Sequence, residues 1–146
     1  PLECSVAAST AGKEMLYVTI VRDITERKRA EEIRQALYQA IDADAIRRAT
    51  MRGLAVPTGS MIAPQVSGWT EDTAKRLPHD PAASRRLLAE AGYPDGFEFT
   101  LDCPNNRYIN DEEICIALAG MWAQLKVKVK VNAMPRATCT NAASVD

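Results

Sequence analysis

No stretch of the 146 residues stays apolar for the ~20 positions that a membrane helix needs. Nothing near Pro1 reads as a basic segment followed by an apolar one, so no export signal is visible. The chain is then either cytoplasmic or without its leader. Histidine occurs once, as His79, beside a helix cap, where a local structural role is expected. One histidine and no supporting motif offer no nucleophile with a base partner, so no catalytic residue, metal or cofactor is expected. An excess of charge of one sign is also missing: 18 Lys and Arg stand against 19 Asp and Glu, a net charge of −1. That balance excludes a strong electrostatic pull toward nucleic acid or an anionic membrane. Cysteines number four, Cys4, Cys103, Cys115 and Cys139, and their spacings match no zinc or redox motif. Only Cys103 and Cys115 are placed to approach each other, and the favoured reading is four free thiols packed as small apolar groups.

What is present suits an ordinary globular domain with a modest core: 47% hydrophobic and 25% charged residues. Residues 2–9 and 14–22 read as two strands around the turn Thr10-Ala11-Gly12-Lys13, a hairpin. Asp23 and Glu26 have the spacing of a capping box for the helix that follows. Charges fill Glu26 to Glu32, and then Ile33, Ala36, Leu37, Ala40 and Ile41 form a stripe at helical spacing. Asp42 and Asp44 offer a break and a second cap, with a short helix over 46–51 closed by Gly53. Residues 54–79, with Pro57, Gly59, Pro64, Gly68 and Pro78, read as a long loop anchored by Trp69 and Met61.

Asp80-Pro81 marks a helix start and Gly92 its end; a turn over 93–96 leads into a strand over 97–102. Asn110 and Glu113 suggest a second capping box, for a helix burying Ile114, Leu118, Met121, Trp122 and Leu125. Residues 127–132, VKVKVN, alternate as a strand, with Lys128 and Lys130 on a solvated face. Strand, helix and strand make one βαβ unit with parallel pairing. The fold class is mixed α/β: a hairpin, a long linker helix, further helices and the βαβ unit, in all about four helices and four strands. Hairpin and βαβ unit are expected to share a sheet or to find cover through a partner chain.

Two resemblances follow from these residues. Val21-Arg22-Asp23-Ile24-Thr25-Glu26-Arg27 and the charged run to Glu32 resemble the end of a PAS sensory domain with its signalling helix. Residues 33–135 resemble an internal segment of family 5 of the periplasmic solute-binding proteins, the peptide, dipeptide and nickel binders of ABC transporters. The motifs are Ile33 to Asp42, Arg52-Gly53-Leu54-Ala55, Asp80-Pro81-Ala82-Ala83-Ser84, and Leu87 through Gly92-Tyr93-Pro94-Asp95-Gly96-Phe97. Lys126 stands where that family usually has glycine. The chain thus divides into 1–32, 33–135 and an irregular tail over 136–146. The two resemblances meet inside one helix, between Glu32 and Ile33, as in a recombined or engineered frame without selected function.

The second resemblance implies a two-lobed receptor that closes on a peptide or similar solute and presents it to a membrane permease in the periplasm. Only part of one wall is present here, so solute binding by these residues alone is not expected. In an open α/β sheet the ligand lies beyond the carboxyl ends of parallel strands. That points to the loop 104–109 and to backbone N–H groups at the start of the next helix. Arg107 is the candidate carboxylate ligand, raised by the resemblance, and Asn105, Asn106 and Tyr108 share its loop. Trp69 is a further candidate, weighed against a core role. The competing reading is a sensory or dimerising module, self-associating through helix 24–41 or through sheet edges.

Overall fold

The computed structural model describes residues 2–11 and 14–138. Leu2–Ala11 (β1) and Glu14–Asp23 (β2) pair antiparallel, Leu2 opposite Asp23 and Ala11 opposite Glu14, as a two-stranded sheet of their own. Thr25–Gln39 forms α1 and Ala43–Ala49 forms α2. A one-turn helix, Glu71–Ala74 (α3), interrupts the segment read as continuous loop. Pro81–Glu90 (α4), Glu98–Pro104 (β3), Asp111–Ala123 (α5) and Lys128–Met134 (β4) complete the order. β3 and β4 pair in parallel, Glu98 beside Lys128 through Pro104 beside Met134, as the βαβ pattern requires. The mixed α/β class stands, with five helices and four strands among the described residues. The two sheets are separate, so hairpin and βαβ unit do not share one. Gly12 and Lys13 of the hairpin turn, and the tail from residue 139, lie outside the described residues.

α4 shows how directly local chemistry sets a boundary. The Asp80 carboxylate accepts the Ala83 N–H at 2.8 Å, and Pro81 occupies the first turn, where no N–H is needed. At the other end Tyr93 N–H donates to the Leu88 carbonyl at 2.8 Å and Gly92 N–H to Ala89 at 3.1 Å. This paired closure needs a left-handed residue between them, and Gly92 has φ +95°. Asp42 caps α2 in the same way, accepting the Ala45 N–H at 2.8 Å.

Two expected caps are otherwise. α1 begins after Ile24 with no side-chain cap; Asp23 instead accepts both the Thr25 N–H and the Thr25 hydroxyl, at 2.9 and 2.6 Å. These bonds, the hydroxyl's foremost, hold its carboxyl below the ordinary range. Asn110 precedes α5 but adopts φ +57° and caps nothing with its side chain, so the box with Glu113 does not form.

The core lies where α1, α4 and α5 meet the small parallel sheet. Ala36, Ala40, Leu88, Trp122, Leu125 and Val127 are its buried residues. Burying one leucine side chain such as Leu88 contributes about 1.5–3 kcal/mol. α1 packs on α4, and the small residues Ala36, Ala40 and Ser84 are buried. Tyr93, Phe97, Phe99 and Trp122 form a chain of ring contacts 5.2, 5.8 and 5.7 Å apart that joins the sheet to α5. In the stripe from Ile33 to Ile41, Ala36 and Ala40 are buried in this core, and Ile33, Leu37 and Ile41 pack against it half-buried. Met61 does not anchor the long loop, being fully exposed, whereas Trp69 is half-buried.

Candidate functional site

The carboxyl ends of β3 and β4 carry the loop from Asn105 to Asn110, which leads into α5. Asn105 N–H donates to the Met134 carbonyl at 3.1 Å, extending the sheet by one bond. Asn106 Oδ1 accepts the Arg136 N–H at 2.9 Å. The two asparagines therefore tie the loop to the segment after β4. Asn110 Nδ2 donates to the Thr50 carbonyl at 2.7 Å, fastening the loop to the end of α2 across 60 residues. Serving this contact takes Asn110 into the left-handed region and away from the cap.

Asp111 supplies the anion at this helix start. One carboxylate oxygen accepts the N–H groups of Arg107 and Tyr108 at 3.0 and 3.1 Å, and the other accepts the Glu112 N–H at 3.1 Å. The Tyr108 bond leads in holding the Asp111 carboxyl below the ordinary range, partial burial works against it, and the Arg107 and Glu112 bonds add to it. Of the backbone donors at the start of α5, the Glu112 N–H is thus taken by the chain itself, as are the Arg107 and Tyr108 N–H groups of the loop. The Arg107 guanidinium is exposed and lies 4.8 Å from the Tyr108 ring centre.

A second constraint closes the same loop. Cys103, at the end of β3, and Cys115, in the second turn of α5, form a disulfide with Cα atoms 6.6 Å apart. The expectation of four free thiols fails for this pair; Cys4 is free and exposed, and Cys139 lies outside the described residues. Strand and helix run side by side here, which brings the two Cα atoms within bridging reach.

Beside the loop is an open cavity of about 690 Å³, lined chiefly by Met51, Pro104, Arg107, Tyr108, Ile109 and Ile114. Of the residues singled out from the sequence, Arg107 and Tyr108 share this cavity. Asn105 and Asn106 lie on the loop without lining it, and Trp69 lines a different cavity of about 470 Å³ with Met61. Sequence reasoning missed Met51 and Ile114 as walls and Asp111 as the loop's organiser. The signal for Asp111 was its place in the run Asp111-Glu112-Glu113, carboxylates in a first helical turn that suit the helix dipole. Among the described residues no cluster of His, Cys, Asp and Glu is placed to hold a metal ion. Among the described residues no helix is long and apolar enough to cross a membrane.

A profile of the bacterial extracellular solute-binding proteins, family 5 Middle, matches residues 10–145. This chain belongs to that family. Over 103 residues it is 33% identical to the glutathione-binding protein GsiB of Salmonella typhimurium, a match covering 70% of this chain and 20% of the relative. The GsiB of Escherichia coli is 32% identical over the same length. Among solved structures, the PBP AgaA from A. tumefacien R10, in complex with agropinic acid, superposes with a TM-score of 0.69 at 30% identity. That match covers 83% of this chain and 25% of AgaA. A dipeptide binding protein from Pseudoalteromonas sp. SM9913, in complex with Met-Leu, shares the fold, with a TM-score of 0.68 at 24% identity over 76% of this chain and 22% of that one. The chain spans about a fifth of the length of the curated relatives it matches. Family 5 is a family of binding proteins rather than enzymes. Its profile begins within the segment that resembles a PAS end, and none of these relatives supports the sensory resemblance.

The turn at Lys126 closes α5. Val127 N–H donates to the Trp122 carbonyl at 3.2 Å and Lys126 N–H to Ala123 at 3.0 Å, the same closure that ends α4. Lys126 holds the left-handed position at φ +62°, where a glycine would carry no steric cost.

Proposed function

We propose that residues 33–135 are part of one lobe of a periplasmic receptor that delivers a peptide or a related carboxylate-bearing solute to a membrane permease. Arg107 is its carboxylate contact. The observation that carries this reading is the exposed guanidinium beside a cavity at the carboxyl ends of two parallel strands, in a chain of a solute-binding family. Tyr108 steadies the guanidinium from one side and supplies apolar surface to the solute. Asn105 and Asn106 hold the loop in place, and Trp69 belongs to a neighbouring stretch of wall. The named ligands of the relatives, glutathione, agropinic acid and Met-Leu, are all acids, which suits a guanidinium that accepts a bidentate carboxylate. In this proposal no cofactor, metal or nucleic acid takes part.

A cleft needs two walls, and the residues here furnish part of one. Short peptides are therefore expected to bind the chain only weakly. Calorimetry with dipeptides and glutathione is expected to give no saturating heat at micromolar concentration. In NMR titrations at high peptide concentration, the Arg107 guanidinium signal is expected to shift with free-acid peptides and to stay put with their amides. Micromolar binding that Arg107→Ala abolishes would show that this chain is a sufficient receptor. A shift of equal size with amidated peptides would remove Arg107 from the carboxylate role.

A further inference from the structure

A second cavity, of about 330 Å³, lies between the end of α1, α2 and the loop that follows α2, with Ile114 of α5 as its far wall. Its surface is almost wholly apolar: Tyr38, Ile41, Ile46, Met51 and Val56 line it with Ile114. Arg47 and Arg76 are also among its lining residues. Arg76 lies 5.0 Å from the Tyr38 ring centre and donates one N–H to the Thr58 carbonyl at 3.3 Å. No carboxylate of a described residue lies within ion-pair distance of it. The Nε of Arg47 is sealed from solvent and makes no hydrogen bond; the Asp44 carboxylate 3.4 Å away supplies charge alone.

Those features ask for one kind of occupant. An apolar trough removes a hydrocarbon tail from water, and guanidinium groups at its side offer paired N–H donors to a carboxylate. Asp44 compensates one of the two cations, so the local balance favours a single negative charge over two. Asp42, the other nearby carboxylate, is engaged by the Ala45 N–H. At ~30 Å³ for each heavy atom, as for a water molecule, the volume holds about ten.

We propose that this cavity is a binding site for a medium-chain monocarboxylate, with its head between Arg47 and Arg76 and its tail along Ile46, Met51 and Ile114. The site is distinct from the one at Arg107, although Met51 and Ile114 border both cavities. Its occupant is an amphiphile recognised by tail and head together, whereas the loop site is proposed to recognise a carboxylate on a polar solute.

The probes are sodium octanoate, 1-octanol and octylamine, titrated into the chain by calorimetry. Octanoate is expected to saturate, 1-octanol to bind at least about tenfold more weakly, and octylamine not to bind. Arg47→Gln and Arg76→Gln are each expected to weaken octanoate about tenfold, with circular dichroism melts showing that the variants fold. Arg107→Ala is expected to leave octanoate unaffected, which keeps this test independent of the proposed solute site. Where a glutamine variant fails to melt cooperatively, methyl shifts of Ile46 and Ile114 in the unsubstituted chain decide, moving with octanoate and not with octylamine. The proposal is overturned if octanol binds as tightly as octanoate, if octanoate does not saturate, or if binding falls with Arg107→Ala and not with Arg76→Gln.

Discussion

The indole N–H of Trp122 donates to the carbonyl of Leu37 at 2.8 Å, across 85 residues of sequence. That carbonyl sits in the last turn of α1, where helices leave acceptors without partners. Here each is answered: Ala36 by the Ala40 N–H, Leu37 by Trp122, Tyr38 by Ile41 and Gln39 by the Asp80 N–H. The end of α1 is therefore finished in part by two distant parts of the chain, α5 and the residue before α4. Trp122→Phe keeps most of the packing and removes only the donor. It is expected to cost about 1–3 kcal/mol, read as a lowered urea midpoint at unchanged slope. A loss too small to measure would mean that water replaces the indole and that the bond does not organise this junction.

Asp111 makes the loop beside α5 sensitive to acid. Its folded-state carboxyl is depressed, chiefly by the Tyr108 N–H, so its contribution to stability is fully present above the unfolded value. That contribution is lost as pH falls through the lower, folded value. Asp111→Asn retains one acceptor oxygen but no charge and does not titrate. It is expected to be less stable than the parent at neutral pH and to converge with it in acid. Tryptophan fluorescence during acid unfolding measures this; curves that stay parallel at all pH values would show that Asp111 is not the titrating group.

Legibility from the sequence followed how local each determinant is. α4 was readable at both ends because Asp80, Pro81 and Gly92 act on their own neighbours. The parallel pairing of β3 and β4 followed from the length of the crossover between them. Asn110 misled because its side chain answers to Thr50, a partner that no window around residue 110 contains. α3 was hidden because four residues held by a reciprocal Thr70–Thr73 cap carry too little periodicity to register. Within the candidate site, Arg107 and Tyr108 were legible from their place after a strand. Met51, which reaches the same cavity from the end of α2, was not.

The disulfide was the clearest omission, and it has a measurable weight. Cys103 and Cys115 are 12 residues apart, and the ring they close contains the whole loop bearing Arg107. By loop-closure entropy a ring of this size stabilises by about 2–3 kcal/mol. Cys115→Ser, or reduction by dithiothreitol, is expected to lower stability by that amount and to raise hydrogen exchange over 104–110. Exchange that rises uniformly over the chain would instead assign the bridge to global stability alone.

Lys126 and Gly96 form a tight pair of backbones. A Cβ on Gly96, which has φ +76°, would collide with the Lys126 carbonyl. Gly96→Ala is accordingly expected to cost about 2 kcal/mol or more. At Lys126 two effects oppose each other. The ion pair of its ammonium with Asp95, at 2.9 Å, is exposed and contributes at most ~1 kcal/mol. The left-handed backbone costs a non-glycine residue roughly 1–2 kcal/mol. Lys126→Gly should match or exceed the parent in stability, and Lys126→Ala should fall about 1 kcal/mol below Lys126→Gly. Thermal melts in which alanine equals glycine would show that the turn imposes no strain.

The surface around the loop after α2 is the least finished part of the chain. Leu54 and Val56 are 88% and 87% exposed, and Ile109 and Ile116 are also exposed. Large apolar side chains gathered on a surface mark a place where other protein packs. The two-stranded sheet of β1 and β2 is also too small to be stable on its own. The isolated chain is therefore expected to self-associate reversibly, with a sedimentation coefficient that rises with concentration. Leu54→Lys combined with Val56→Lys should reduce that rise without lowering the melting temperature, since neither side chain is buried. A cooperatively melting monomer at all concentrations would show that the chain needs no cover, and the view of it as part of a larger lobe would lose its energetic basis.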